Sequence, residues 1–205
     1  LGSRGINTLE ELADVKSLVV ETVKEDGTCV LNADNPYTLK MVERCIGNII
    51  LFSQNPANPA LDEHINQGGV AIINDDGVVK IVNGRRDEIK LISLEKVAMT
   101  YEGKARHQIE NLLAAVAALY GYGFDLEMIR EGLLTFGGDF ETNPGRLNLF
   151  EYHGRKLIFD YGHNLEGYRS IIDFAHELGF QRLLGVVGVP GDRPDSSIEK
   201  IGELV

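Results

Sequence analysis

The chain has 205 residues, 43% of them hydrophobic and 25% charged, and a formal net charge of −11. It is long enough to bury the core of one or two globular domains, and no run of about eighteen apolar residues is present to cross a membrane. Lys and Arg are scattered, so the basic face that a nucleic-acid partner requires for counterion displacement is missing. Leu1-Gly2-Ser3-Arg4 forms no secretory apolar region and reads as a cut end rather than a natural start. Cys29 and Cys45 lack metal-ligand spacing and suggest no disulfide framework. They read as buried thiols of a cytoplasmic protein.

In chain order, Thr8 and Glu11 make a capping box that opens a helix. Leu9, Leu12, Ala13 and Val20 fall on one stripe of it, and Lys16 falls on that same stripe. Thr28 to Asn32 reads as a buried strand ended by Ala33-Asp34-Asn35-Pro36, followed by a helix from Tyr37 to about Arg44 and a second strand from Asn48 to Ser53. Strand–helix–strand order predicts a parallel sheet. Val70 to Ile73 and Val78 to Val82 flank Asn74-Asp75-Asp76-Gly77, a hairpin turn, and Ile89 to Leu94 completes an antiparallel meander.

His107 to Tyr120 is the clearest helix, with Ile109, Leu112, Leu113, Val116 and Tyr120 on its apolar face and Gly121 and Gly123 as the stop. Asp125 caps a second helix carrying Leu126, Ile129, Leu133 and Phe136. The segment from Gly137 to Gly145 reads as a linker. Beyond it come strands Leu147 to Tyr152 and Lys156 to Tyr161, a helix from Glu166 to Leu178, a buried parallel-type strand from Arg182 to Val189, and a helix opened by Ser196 and Glu199.

Four sets of residues could carry chemistry. Asp160-Tyr161-Gly162-His163-Asn164 ends a strand and precedes a helix, where ligands bind in open α/β sheets; the plain alternative is a polar turn with Asn164 as a helix cap. Arg146, after Asn143-Pro144-Gly145, offers a forked donor to phosphate, or is a surface arginine after a turn. Asn111 lies one helical turn beyond His107 and can read an adenine edge with one donor and one acceptor, or the pair is simply a polar helix start. Lys16 on an apolar stripe is held for a reason or snorkels outward. No G-x-x-x-x-G-K-[ST] phosphate loop, G-x-S-x-G or Cys/His metal cluster occurs. Gly185, Gly188 and Gly191 do not have dinucleotide-fingerprint spacing.

The strings Arg106-His107-Gln108-Ile109-Glu110-Asn111, Asn143-Pro144-Gly145-Arg146-Leu147-Asn148-Leu149-Phe150, Asp160-Tyr161-Gly162-His163-Asn164 and Gly188-Val189-Pro190-Gly191-Asp192-Arg193 occur in an order that resembles the Mur ligase family. Asn32-Ala33-Asp34 after a strand is similar to the family as well. The resemblance implies an α/β fold: residues 1–142 as the second half of a Mur-ligase-like central ATP-binding domain, with a mixed sheet, helices and a β-meander, and residues 143–205 as the first part of a Rossmann-like C-terminal domain.

It implies ATP and Mg2+ as cofactors, with Lys16 and His163 as catalytic residues and His107, Asn111, Arg146, Asp160, Tyr161 and Asn164 as nucleotide-binding residues. Lys16 matches a position that many members carry as a carbamylated lysine, which helps hold Mg2+. The implied reaction phosphorylates a carboxylate to an acyl phosphate, which an amine then attacks. Such chemistry needs charge neutralisation at the phosphoryl group and closure against water. The implied partners are an amino acid (arginine foremost) and a peptide or polyaspartate acceptor, with a homo-oligomer possible and neither nucleic acid nor membrane involved. Muramyl-peptide or folylpolyglutamate ligation, and a non-catalytic nucleotide-binding module, stand as alternatives. Leu165 departs from the family, which often has proline after the His-Asn pair. The phosphate loop is expected upstream of residue 1, and the chain alone is not expected to catalyse.

Overall fold

A computed structural model describes residues 5–84, 87–180, 182–191 and 194–205. The first four residues, and the Asp192-Arg193 end of the Gly188–Arg193 string, lie outside the described residues.

The Thr8 capping box forms as expected: its hydroxyl accepts from Glu11 N, and the Glu11 carboxylate accepts from Thr8 N. It opens helix α1 (Leu9–Glu21). Five strands follow in one sheet, β1 (Thr28–Asn32), β2 (Asn48–Ser53), β3 (Val70–Asp75), β4 (Val78–Asn83) and β5 (Asp87–Ser93), in the order β1-β2-β3-β4-β5. The first three run parallel and the last two antiparallel. The mixed sheet and meander are therefore as the pattern predicts. The crossover after β1 is a short helix α2 (Pro36–Leu39) capped by Asn35 and continued as a 3-10 helix (Lys40–Arg44). The crossover after β2 is helix α3 (Pro59–Asn66), which the apolar pattern does not announce. Its local signal is Asn58 as cap followed by Pro59 at the first helical position.

Alternation along the strands divides the core in two. Ile50, Phe52, Ile72, Val79 and Ile81 face one side, against helices α4 (Arg106–Tyr122) and α5 (Leu126–Thr135). Cys29, Leu31, Leu51, Ala71 and Ile73 face the other, with Val20 of α1, Met41 and Leu61. Ile109, Leu112, Leu113 and Val116 of α4 are buried as their spacing requires. Gly121 does not stop that helix. It remains helical, and a Cβ there would lie 2.8 Å from Thr28 Cγ2, so the missing side chain lets α4 sit down on β1. The stop is Gly123, left-handed at φ 91°.

The second sheet is a hairpin of β6 (Asn148–Tyr152) and β7 (Arg155–Phe159), followed by α6 (Leu165–Glu177) and α7 (Asp195–Leu204). The buried side chains of α6 are Tyr168, Phe174 and Ala175. Here one expectation fails. The described residues of 182–189 form no strand, and Leu184 and Val186 are 93% and 99% exposed. An apolar run becomes a strand only when a neighbour accepts its ladder of hydrogen bonds, and no described strand lies beside it.

Candidate active site

α4 begins at the junction between the two sheets. Ala105, Leu147 and Phe174 form a small buried cluster that joins the start of α4, the loop before β6, and α6. Tyr101 packs on Phe174 with ring centroids 4.9 Å apart, and its hydroxyl donates to Leu147 O at 2.6 Å. Leu147 N donates in turn to Asp160 Oδ2 at 2.8 Å. Leu147 is fully buried and sits at φ 52°. Contacts on its N–H, carbonyl and side chain together hold a backbone conformation that a non-glycine residue seldom adopts.

Arg146 is thus the residue before a clamped position, with its own side chain exposed. The turn that carries it is organised by Asn148, which is 1% exposed. The Asn148 side chain accepts from Gly145 N at 2.7 Å and donates to Gly138 O at 3.1 Å and Asn143 O at 3.0 Å. Tyr161 N donates to Gly145 O at 2.7 Å, which ties the loop after β7 to the same turn.

His107, half-buried in the first turn of α4, faces this loop. Burial holds its imidazole below the ordinary range, and the Asp160 carboxylate pulls it partly back. The expected residues His107, Arg146, Asp160 and Tyr161 are therefore brought to one junction. His163 follows, its Nδ1 3.2 Å from Tyr161 O and its ring 6.0 Å from that of Tyr161. Asn164 does what the plain alternative says: its side chain accepts from Gly167 N at 2.8 Å and caps α6. Leu165, where the family often has proline, is the first residue of that helix. A cleft of about 360 Å³ opens between α4 and α6, with Lys104, Arg106 and His107 on one wall and Asp173, His176 and Glu177 on the other.

Asn111 is exposed on α4, with its Nδ2 3.3 Å from Gln108 Oε1. Between it and His107, Glu110 turns toward the end of β1 and accepts a hydrogen bond from Asn32 Nδ2. Burial and the nearby Asp34 carboxylate push Glu110 above the usual carboxylate range, against the pull of Asn32. Asp34 accepts from Ser53 Oγ, from Gln54 N at 2.8 Å and from Asn58 Nδ2 at 3.0 Å. These groups crowd the carboxyl ends of β1 and β2, the side of a parallel sheet where ligands bind. The Asn32-Ala33-Asp34 string is visible in the sequence. The roles of Ser53, Asn58, Tyr101, Leu147 and Asn148 are not, because each depends on a partner distant in the chain or on a backbone angle.

Lys16 takes the outward of its two readings. It is exposed, and the inward face of α1 runs through Ala13, Ser17 and Val20. Arg44 sets that rotation by donating to Ser17 Oγ, Asp14 Oδ1 and Glu21 Oε1. α1 lies across the sheet from α4, so Lys16 does not join the junction cluster. Among the described residues, no three His, Cys, Asp or Glu side chains gather to hold a metal.

Residues 5–119 match the Mur ligase middle domain. The chain belongs to the Mur ligase family. Its whole length is 40% identical to the cyanophycin synthetase of Synechocystis sp. and 39% identical to that of Crocosphaera subtropica, covering 23% of each. It is 29% identical to the UDP-N-acetylmuramoylalanine--D-glutamate ligase of Clostridioides difficile over 132 residues, 64% of this chain and 26% of that protein. The chain thus spans less than a quarter of the length of the cyanophycin synthetases it matches. The Mur ligase match spans the five-stranded sheet and most of α4, and the full-length similarity carries on through the hairpin region.

Proposed function

We propose that this chain is the part of an ATP-dependent carboxylate–amine ligase that carries the interdomain nucleotide site, and that the ligase adds an amino acid, arginine foremost, to a polyaspartate backbone through an acyl phosphate. The observation that carries the reading is the junction. An exposed arginine follows a turn organised by a buried asparagine, and a carboxylate beside it has one oxygen committed to Leu147 N and faces a half-buried histidine.

The residues fit a nucleotide. Arg146 offers a fork to phosphate oxygens. Asp160 Oδ1 is not engaged by a protein donor among the described residues and suits a ribose hydroxyl. Exposed Asn111 suits an adenine edge. Tyr161 and Asn164 border the same loop, and His163 faces the amino-acid side. ATP supplies the phosphoryl group that activates the acceptor carboxylate. Mg2+ on a nucleotide at the junction would be held mainly by phosphate and water oxygens, since Lys16 lies across the sheet from α4. Tyr101 and Leu147 bridge the two sides of the junction, so closure that excludes water acts through them. The domain division near residue 143 is part of the proposal.

Arginine and polyaspartate are favoured over a muramyl peptide by the pattern of similarity. Identity to cyanophycin synthetases is 35–40% over the whole chain, against 26–29% and partial coverage for the muramyl ligases. The test is calorimetric titration with ATP and Mg2+ of this chain and of its Arg146→Ala, Asp160→Ala double variant. Binding that the variant loses is expected; equal binding by both would overturn the site. In the natural protein, arginine incorporation into a polyaspartate primer with phosphate release is expected. Transfer to a muramyl peptide instead would replace the acceptor.

A further inference from the structure

Cys29 and Cys45 stand apart from everything described above. They are sixteen residues apart in sequence, and their Sγ atoms lie 2.6 Å apart as free thiols. Cys29 is 4% exposed, on the edge strand β1 and on the sheet face under α1, and Cys45 is half-buried, at the end of the 3-10 helix.

Both approaches are anchored by the backbone. Cys29 is held in the β1–β2 ladder opposite Ile49. Cys45 N donates to Val42 O at 3.2 Å. Two residues on, Gly47 passes so close to the turn before β1 that a Cβ would lie 2.6 Å from Lys24 O and 2.7 Å from Gly27 O. Asn48 then clamps the same turn, its N donating to Gly27 O at 2.8 Å and its Nδ2 to the same oxygen at 3.2 Å. The two sulfurs therefore meet because the fold brings rigid backbone together there, and neither side chain has to reach.

We infer that Cys29 and Cys45 form a reversible dithiol–disulfide site whose co-substrate is a low-molecular-weight disulfide of the glutathione class. The Cys45 thiolate, the accessible one, attacks a sulfur of the small disulfide and expels one thiolate, leaving a mixed disulfide on Cys45. Cys29 gives up its proton and attacks Cys45 Sγ, which expels the second thiolate. Two protein thiols lose two electrons, the small disulfide gains them, and the two protons end on the two released thiols. Burial, with Cys45 alongside, pushes the Cys29 thiol up to about 12, so Cys29 is not the sulfur that attacks first. The bond would close the loop that carries Asn32-Ala33-Asp34, beneath the helix that bears Lys16.

The test uses this chain, folded, with excess oxidised glutathione, followed by alkylation of free thiols and peptide mass mapping. The expected result is a linked Cys29–Cys45 peptide pair that dithiothreitol reverses. A rise in Tm of about 5–10 °C is expected with it, since the bond closes a loop in the unfolded chain. Cys45→Ser, at the half-buried position, is expected to fold, yield no linked pair and show no rise. A stable glutathione adduct on Cys45 with Cys29 still open to alkylation would overturn the inference. So would a linked pair that forms only after denaturation. Neither outcome bears on nucleotide binding at the junction.

Discussion

The five-stranded sheet and the hairpin region are built from similar apolar, β-rich segments and have different fates. In the first, each strand has a ladder partner, and side chains alternate between two covered faces, so Ala71, Ile72, Val79 and Ile81 are wholly buried. In the second, among the described residues, β6 and β7 pair only with each other. Leu157 and Phe159 are 50% and 55% exposed, and Val186 is almost fully in solvent. Apolar content is thus comparable in kind, and what separates the regions is the supply of neighbours. A strand's pattern says which face wants burial; only an adjacent strand and a covering helix satisfy it.

The sharpest way to break this comparison is a pair of truncations. Leu113→Ala in α4 is expected to cost about 2–5 kcal/mol, because it leaves a cavity in a dense core. Val186→Ala is expected to change stability by less than about 0.5 kcal/mol. Urea denaturation of both reads the difference, and equal costs would show that 182–189 is packed in solution. Next in size is Asn148→Ala, which strands a buried N–H and two carbonyls. It should cost about 2–3 kcal/mol in the same measurement, and should weaken ATP binding by releasing the Arg146 turn.

The two hairpin turns offer a finer test. Asp76-Gly77 joins β3 to β4 with φ of 48° and 74°, and His153-Gly154 joins β6 to β7 with 49° and 70°. Both are two-residue turns with left-handed centres, in which asparagine is favoured over histidine at the first position. His153→Asn should gain about 0.5 kcal/mol, and an unchanged midpoint would mean that this hairpin contributes little to the cooperative unit.

The smallest effect concerns charge. Glu110 is raised in the folded state, so its protonation stabilises the fold most below the ordinary carboxylate range. That contribution fades as pH rises through the raised value. Glu110→Gln should therefore be slightly more stable than the parent at pH 8 and no different at pH 4. His107 runs the other way. Its lowered value gives stability that is full above the ordinary imidazole range and lost as pH falls below it. Thermal melts across pH 4–8 separate the two.

Much of the first region is legible in the residues. The Thr8 capping box, the β1 and β2 segments, the turn at Asp76-Gly77 and the α4 face are all local signals, set by side chains that are near one another in the chain. The junction is half legible: Arg146 and Asp160 stand out as chemistry, but Asn148 looks like any polar residue after a turn until its four backbone partners converge on it. α3 is missed because its cue lies in Asn58-Pro59 rather than in apolar spacing.

Lys16 shows where local reasoning stops. Residues 12, 16 and 20 share a stripe in any α-helix, so the spacing is correct, yet the rotation of α1 about its axis is not a property of α1. Arg44, distant in the chain, turns Ser17 inward and leaves Lys16 in solvent. The sequence by itself determined the α/β class, most of the elements and the order of the motifs, because propensity, capping and period act within about one or two turns of chain. The tertiary structure alone decided which faces met, which apolar run stayed unpaired, how His107 came to Asp160 and Cys29 to Cys45. Those contacts depend on where distant backbone is anchored, and no local pattern encodes that.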